Sequence, residues 1–262
     1  MKDYVLELVS QKDGYNAKLN TMRDYLQAYI LRAMHDEGVF RSAAFLGGTA
    51  LRFLYGLPRF SEDLDFSLVE KQAIPFAALL KKITSELSAA GYDVSVVYND
   101  KKTVNSAFIK FSSLMFEAGV SPLKSQKFSI KIEIDNHPPQ GANLTTQIVN
   151  KYFPISFLSY EIKSLFACKL HALLSRKYTK GRDYFDLGWY LSKWNGREPN
   201  FELLTNALKQ TGWGKDFPEE NNWRELIYRV VEKVDWVKVK QEVEGFLENP
   251  LDLDIFTKEN VL

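Results

Sequence analysis

Two segments of this sequence alternate between apolar and polar residues, and this alternation limits the folds open to the chain. In residues 60–68 the alternation is clear from Leu64 to Leu68, and in residues 128–135 it extends over the whole segment. Because successive side chains of a strand point to opposite faces of a sheet, each segment predicts a strand with one buried and one polar face. The chain is therefore expected to contain a sheet whose polar face can collect charged side chains.

The spacing of apolar residues changes at about residue 155 from a mixed to a helical pattern. We predict an α/β domain over 1–155, with a mixed sheet and flanking helices, and a helical domain over 156–262. Further predicted strands of the first domain are 41–46, 93–98 and 107–112, and its predicted helices are 19–37, 49–55 and 74–90. In the second domain we predict helices near 160–177 and 183–193 and three more before residue 248.

The bulk composition excludes several classes of protein. The 34 basic and 33 acidic residues give a net charge of +1, so a polyanion would have to bind at a local patch. One cysteine and three scattered histidines argue against a disulfide or a zinc site. The charged N-terminal segment does not resemble a signal peptide, and no apolar run could cross a membrane. We expect a cytoplasmic protein without membrane association.

Asp63 and Asp65 are the first candidate site residues. Their side chains lie two positions apart on one strand face, which places them roughly 6.5–7 Å apart at the backbone. Two carboxylates at this spacing can hold a pair of divalent cations, and Mg²⁺ prefers such oxygen ligands. Glu133 or Asp135, on the polar face of the second alternating strand, would supply a third carboxylate.

A glycine pair precedes the aspartates and predicts a phosphate site. Gly47 and Gly48 would let the backbone approach a phosphate closely, and the helix that follows would present N–H groups at its positive end. Thr49 adds a hydroxyl near the start of that helix. A second Asp-x-Asp sequence, at 252–254, lacks such a glycine turn, and we interpret it as a surface feature.

The order of these motifs resembles the AbiEii/AbiGii-type nucleotidyltransferase toxins, a branch of the DNA polymerase β-like superfamily. The resemblance rests on Phe-Leu-Gly-Gly-Thr-Ala-Leu-Arg at 45–52 and Arg-Phe-Ser-Glu-Asp-Leu-Asp-Phe at 59–66. It implies a polymerase β-like mixed sheet, with Asp63 and Asp65 on two Mg²⁺ ions and Glu133 as the best match for the third acid. The nucleotide triphosphate would contact the residues Gly47, Gly48, Thr49, Arg59 and Ser61.

The helical part carries a second motif. Lys169 lies within an apolar helical stripe, where its ammonium must either reach solvent or meet an anion. Asp183 suits the N-cap position of the next helix, and Asp186 would then lie near the third residue of that helix. The motif from Lys169 to Arg176, followed by 182–187, resembles the second signature of the same toxins. That likeness implies that Lys169 contacts the triphosphate and that Asp186 orients the triphosphate or the acceptor. Lys169 and Asp186 would then face the metals across a cleft.

The resemblance also implies a function. We expect Mg²⁺-dependent transfer of a nucleoside monophosphate from an NTP to an acceptor such as tRNA, by the toxin of a toxin–antitoxin or phage-defence (abortive infection) system. A cognate protein antitoxin would be a partner. Arg176, Lys180 and Arg182 would bind the acceptor. Alternatives are an antibiotic-modifying nucleotidyltransferase that acts on small molecules and a non-catalytic nucleotide-binding module.

Overall fold

The computed structural model describes residues 1–69, 74–194 and 197–261. Its strands are β1 (Ala43–Leu46), β2 (Asp63–Leu68), β3 (Val94–Asn99), β4 (Val104–Phe111), β5 (Phe128–Asp135), β6 (Leu144–Asn150) and β7 (Pro154–Tyr160). Its helices are α1 (Lys2–Ser10), α2 (Tyr15–Asp36), α3 (Gly47–Tyr55), α4 (Phe76–Ala89), α5 (Leu114–Glu117), α6 (Ile162–Ser175), α7 (Gly181–Lys193), α8 (Phe201–Gln210), α9 (Trp223–Lys233), α10 (Trp236–Glu244), α11 (Asp252–Ile255) and α12 (Lys258–Val261). In the described part of the chain, no helix is both long and apolar enough to cross a membrane.

The strands form one mixed sheet with the order β3-β4-β5-β2-β1-β7-β6. The strand β2 lies near its middle, antiparallel to β1 and parallel to β5. Antiparallel pairing continues from β5 to β4 and from β4 to β3, while β1 pairs in parallel with β7. The predicted α/β class with a mixed sheet, flanking helices and a helical C-terminal part is therefore confirmed.

Burial of alternate side chains fixes which face of the sheet is polar. Leu64 and Phe66 of β2 are buried, and so are Ile132 and Ile134 of β5. The ring of Phe66 stacks on Phe45 of β1, with 5.3 Å between the ring centroids. Because one face of these strands packs into the core, the intervening acidic side chains must lie on the other face.

The chain divides into two compact units. The first comprises 1–56, 60–137 and 146–159, and the second comprises 57–59, 138–145 and 160–262. The second unit has its own aromatic core, in which Phe166 stacks on Tyr190 at 4.5 Å and meets Trp223 edge-on at 5.6 Å. The sequence did not predict that the short segments 57–59 and 138–145 belong to the second unit.

Several element boundaries differ from the predicted ones. The strand β2 begins at Asp63, three residues after its predicted start, and α3 begins at Gly47 instead of Thr49. The two glycines are therefore the first residues of the helix and not a separate turn. The strands β6 and β7 and the helix α1 had no predicted counterpart, whereas the three helices expected between residues 193 and 248 are present as α8, α9 and α10.

Candidate active site

Asp63 and Asp65 lie on the polar face of β2, as their spacing predicted. Both side chains are partly exposed, while Leu64 between them is fully buried. Burial of Leu64 and Phe66 fixes the direction in which the two carboxylates point. The strand thus presents two acidic groups side by side at the surface of the first unit.

The first residue of α3 meets one of these carboxylates. Gly47 has a φ of +80°, and a Cβ built on it would lie 2.2 Å from Oδ2 of Asp65. Only glycine satisfies both the left-handed backbone and the lack of space. The first N–H groups of a helix lack partners within the helix, and α3 has no side-chain cap. Gly47 and Gly48 thus bring a helix N-terminus and the Asp65 carboxylate to the same place.

The side chains of Thr49 and Gln27 hold the backbone at and just before the beginning of β2. Thr49 is fully buried, and its hydroxyl donates to the backbone carbonyl of Asp63 at 2.5 Å. Ser61 is buried as well, and its backbone carbonyl accepts a hydrogen bond from the side-chain amide of Gln27 at 3.0 Å. Since the Thr49 hydroxyl is used within the protein, a phosphate contact of Thr49 would fall to its backbone N–H. Nucleotide contacts of Thr49 and Ser61 stay predictions.

The parallel pairing of β2 with β5 distinguishes the two candidates for the third acid. Glu133 is the register partner of Asp65, whereas Asp135 is the partner of Ser67. Register partners on adjacent strands lie about 4.8 Å apart and point to the same face. Asp135 instead accepts a hydrogen bond from the backbone N–H of His137 at 2.9 Å. The register therefore places Glu133 beside Asp65, and Asp135 further along the sheet.

Lys131 is a member of this group that the sequence did not single out. It is the register partner of Asp63, and its ammonium lies 2.8 Å from Oε1 of Glu133. Burial alone would lower the pKa of Lys131, but the hydrogen bond with Glu133 and the charges of Glu133, Asp63 and Asp65 outweigh it, so that the pKa is raised. The alternation of β5 already puts Lys131 on the polar face, which is the signal that could have found it.

The donor chemistry of this face suits a hard divalent cation. Asp63, Asp65 and Glu133 are carboxylates on adjacent strands, and Mg²⁺ takes such oxygen ligands. Among the described residues, however, no three acidic, histidine or cysteine side chains already stand close enough to hold a metal ion. The Glu133 carboxylate would have to turn from Lys131 to complete the set. The residues thus fit Mg²⁺ in kind, and the carboxylate that would be the third ligand is paired with the Lys131 ammonium.

In the second unit, Asp186 is surrounded by cations. Arg59 donates to it from two nitrogens, at 2.5 Å and 2.6 Å, and both residues are buried. Lys169 lies 2.6 Å from Oδ2 of the same carboxylate. Burial raises the pKa of Asp186, but the charges and hydrogen bonds of Arg59 and Lys169 outweigh it and hold the pKa below its ordinary value. Asp186 is therefore a buried, paired carboxylate.

Asp183 extends this cluster of charges. It lies 3.3 Å from Lys169 and 2.6 Å from Arg176. Burial would lower the pKa of Lys169, but Asp186 and Asp183 raise it, so the ammonium stays charged. The Lys169 side chain therefore meets an anion, which was one of the two outcomes expected for it. The expected contact of Lys169 with a nucleotide stays a prediction, and so does the expectation that Asp186 orients the nucleotide or the acceptor.

The expected capping role of Asp183 is wrong. The helix α7 begins at Gly181 with Lys180 as its N-cap, so Asp183 is the third helical residue. A Cβ on Gly181 would lie 2.2 Å from the backbone oxygen of Val239, so the helix starts where α10 passes closely. The guanidinium of Arg182 lies over the ring of Phe246, 4.2 Å from its centroid. Acceptor binding by Arg176, Lys180 and Arg182 stays a prediction.

Solved structures of other proteins share the fold of this chain. A protein from H. pylori, whose crystal structure carries the description of a nucleotidyltransferase, is 21% identical, with a TM-score of 0.53 over 92% of this chain and 89% of that one. MenT4, a nucleotidyltransferase toxin from Mycobacterium tuberculosis, is 14% identical, with a TM-score of 0.47 over 100% of this chain and 98% of that one. A search of curated protein sequences gave no significant match.

The mixed sheet, the glycine-initiated helix and the acidic strand face suit a nucleotidyltransferase, the class to which the matching family model assigns the chain. The family model "Nucleotidyl transferase AbiEii toxin, Type IV TA system" matches residues 29–256. The chain therefore belongs to the AbiEii nucleotidyltransferase toxin family, and the resemblance drawn from the sequence motifs is confirmed. Membership implies a nucleotide substrate and an antitoxin.

Proposed function

We propose that this toxin transfers a nucleoside monophosphate from an NTP to an RNA acceptor, with tRNA as the first candidate, and that the transfer needs Mg²⁺. The observation that carries the proposal is the register of β2 and β5. It sets Asp65 beside Glu133, while Gly47 brings the N-terminus of α3 to Asp65. The acidic side chains would bind a metal ion, and the nearby N-terminus of a helix would bind phosphates. Together they suit a nucleotide that is held through its phosphates and a metal.

Asp63, Asp65 and Glu133 would hold two Mg²⁺ ions. Bound there, the ions would neutralise the triphosphate and make the acceptor hydroxyl more acidic. The backbone N–H groups at the start of α3, from Gly48 and Thr49, would donate to the phosphates. Lys131 would then exchange Glu133 for a phosphate oxygen as its partner, because its ammonium lies among the same groups.

The reaction is a displacement at the α-phosphorus. The acceptor hydroxyl oxygen forms a bond to this phosphorus as the bond to the bridging oxygen of the diphosphate breaks, and pyrophosphate leaves with that electron pair. The hydroxyl proton passes to a carboxylate oxygen of Glu133. The protein acts mainly by positioning the two reactants and stabilising the charge that develops. The involvement of Lys169 and Asp186 in the same reaction stays a prediction from the sequence motif.

The test is transfer of label from each α-³²P-labelled NTP to total RNA in the presence of Mg²⁺. We expect labelled RNA with the natural protein and a loss of about 1000-fold or more with Asp65→Asn, because metal ligands contribute several kcal/mol to such reactions. The chain supplies a matched control in its second Asp-x-Asp sequence, where Asp254 is exposed on α11. Asp254→Asn should transfer at the natural rate.

Three results would contradict the proposal. If Asp65→Asn transferred as fast as Asp254→Asn, the acidic face of β2 would not be the catalytic site. If the natural protein bound NTP but labelled no RNA, while it labelled small hydroxyl compounds of the aminoglycoside type, the acceptor class would be wrong. Binding of NTP without transfer to any acceptor would instead describe a nucleotide-binding module.

A further inference from the structure

A cavity of about 550 Å³ lies within the second unit, and its lining residues all belong to the segment 172–234. Its wall comes from the end of α6 and the segment that follows, the start of α7, the segment around Trp213 and the helix α9. A cavity of this size is in the range that binds nucleotides and other small ligands. Residues from three stretches of the chain, within 172–184, 213–215 and 226–234, thus line one open cavity.

The charge of this cavity is strongly one-sided. Six of the lining residues are cations and one, Asp183, is an acid, a net of +5 in a chain whose total is +1. We call the six cations the basic cavity set: Arg176, Lys177, Lys180, Lys215, Arg229 and Lys233. Arg176 and Lys180 were predicted to bind an acceptor, and Lys177 lies beside Arg176 in the sequence. The other three come from α9 and from the segment around Trp213, which sequence spacing did not connect with them.

Most of these cations lack an acidic partner among the residues that the structure describes. Arg176 pairs with Asp183, and Arg229 pairs with Glu225 on the exposed side of α9. The four lysines of the basic cavity set form no ion pair with any acid in the described ranges of the chain. Burial lowers the pKa of Lys180, and the neighbouring charges of Arg182 and Arg176 lower it further. Like charges that share a cavity repel one another, and an anion relieves that repulsion.

Aromatic rings stand among the cations. Tyr178 is 66% exposed, and the guanidinium of Arg176 lies 5.7 Å from its ring centroid. Trp213 is partly exposed, with the ammonium of Lys215 at 5.1 Å from its ring. Cations that follow a phosphate backbone, together with aromatic faces for bases, are the combination that binds single-stranded nucleic acid. An acidic peptide would use the cations but not the rings.

We propose that this cavity binds the ribose-phosphate backbone of the single-stranded part of the acceptor RNA, with Tyr178 and Trp213 stacking on its bases. The proposal rests on the proposed function only for the identity of the RNA as acceptor. It assigns Lys215 and Lys233 to RNA binding, a role that no motif of the sequence gave them. It makes the second unit a binding module for the acceptor in its own right.

The experiment measures binding without the reaction. A fluorescein-labelled, single-stranded RNA of about 12 nucleotides, a length that covers an ordinary site for single strands, is titrated with the full chain in EDTA and without NTP, at several salt concentrations. The double variant Lys215→Gln/Lys233→Gln should bind more weakly, and its plot of log affinity against log salt should be less steep by about 1.4, because each lost phosphate contact contributes about 0.7. Tyr178→Leu should bind about 5-fold more weakly or worse.

The matched control is Lys238→Gln. Lys238 is an exposed lysine on α10 of the same unit and does not line the cavity. This variant should keep both the natural affinity and the natural salt dependence. Thermal unfolding followed by circular dichroism checks that the double variant folds as the control does.

Three results would overturn the inference. The first is a double variant with the natural affinity and salt slope. The second is a polyglutamate peptide that displaces the RNA at the same concentration of charges, which would assign the cavity to an acidic protein segment. The third is displacement by ATP at the same concentration of phosphate groups, which would assign it to the nucleotide. Because no NTP is present, RNA binding that follows the predicted pattern upholds the inference even if nucleotide transfer to RNA fails. Equally, transfer to RNA would uphold the proposed function even if the variants of this cavity bound RNA normally.

Discussion

The two units of this toxin each gather charged side chains, but in opposite proportions and at different depths. On the sheet of the first unit, Asp63, Asp65 and Glu133 outnumber the single Lys131, and all four side chains are partly exposed. In the second unit, the Asp186 carboxylate is fully buried between Arg59 and Lys169. A partly exposed group with excess charge can bind an ion from solution, whereas removing one partner of a buried, ion-paired group leaves an uncompensated charge that destabilises the fold.

The largest effect on stability should follow from breaking the buried group. Asp186→Asn keeps the shape of the side chain but leaves Arg59 and Lys169 without their carboxylate, which costs about 3–5 kcal/mol for a buried ion pair. Urea unfolding would measure this loss. The control is Glu225→Gln, which breaks the exposed pair with Arg229 and should cost less than about 1 kcal/mol. Equal losses in the two variants would show that burial does not distinguish these ion pairs.

A smaller effect on stability, with a large one on activity, is expected at the start of α3. Gly47→Ala forces an L side chain into a left-handed conformation, which costs about 1–2 kcal/mol, and its Cβ would displace the Asp65 carboxylate. Displacement of a catalytic group by about 1 Å can lower a rate by about 100-fold. We therefore expect transfer of labelled nucleotide to fall by about that factor.

A control at Gly14 separates backbone strain from displacement of the Asp65 carboxylate as the cause of lost activity. The φ of Gly14 is +79°, close to that of Gly47, but a Cβ there meets nothing within 4 Å. Gly14→Ala should lose a similar amount of unfolding free energy and keep the natural rate of transfer. If both alanine variants lost activity alike, backbone strain and not the contact with Asp65 would explain the need for glycine at position 47.

The pH dependence of stability should sharpen the contrast further. The pKa of Asp186 is lowered in the folded protein, so its contribution is complete above the unfolded pKa of about 3.9 and is lost as the pH falls through the lower folded value. The unfolding free energy of Asp186→Asn should thus fall less steeply below about pH 4 than that of the natural protein. Some fall remains, because the charges of Arg52 and Lys151 also lower the pKa of buried Asp24. If the unfolding free energies of the two proteins fell equally steeply below about pH 4, the lowered pKa of Asp186 would be contradicted.

Local patterns in the sequence predicted the polar faces but not the partners across them. The alternation of 128–135 placed Glu133 and Asp135 on one face without choosing between them, because a period of two does not specify which strand lies alongside. The pairing of Asp65 with Glu133 is a long-range feature of the sheet. The ion pair of Arg59 with Asp186 joins residues 127 positions apart, and no local signal predicts it. The glycines, the Asp-x-Asp strand and the helices could be predicted because each depends on neighbours in sequence.

The register of β2 and β5 sets Glu133 opposite Asp65 and Asp135 opposite Ser67, and the proposed catalytic site depends on it. The decisive measurement compares the rate of nucleotide transfer by Glu133→Gln and Asp135→Asn at saturating Mg²⁺ and NTP, with both variants shown to fold by circular dichroism. We predict that Glu133→Gln loses transfer by about 100-fold or more, as expected for a group in contact with the reacting phosphate, while Asp135→Asn keeps the natural rate. Loss of transfer in Asp135→Asn with full activity in Glu133→Gln would contradict it.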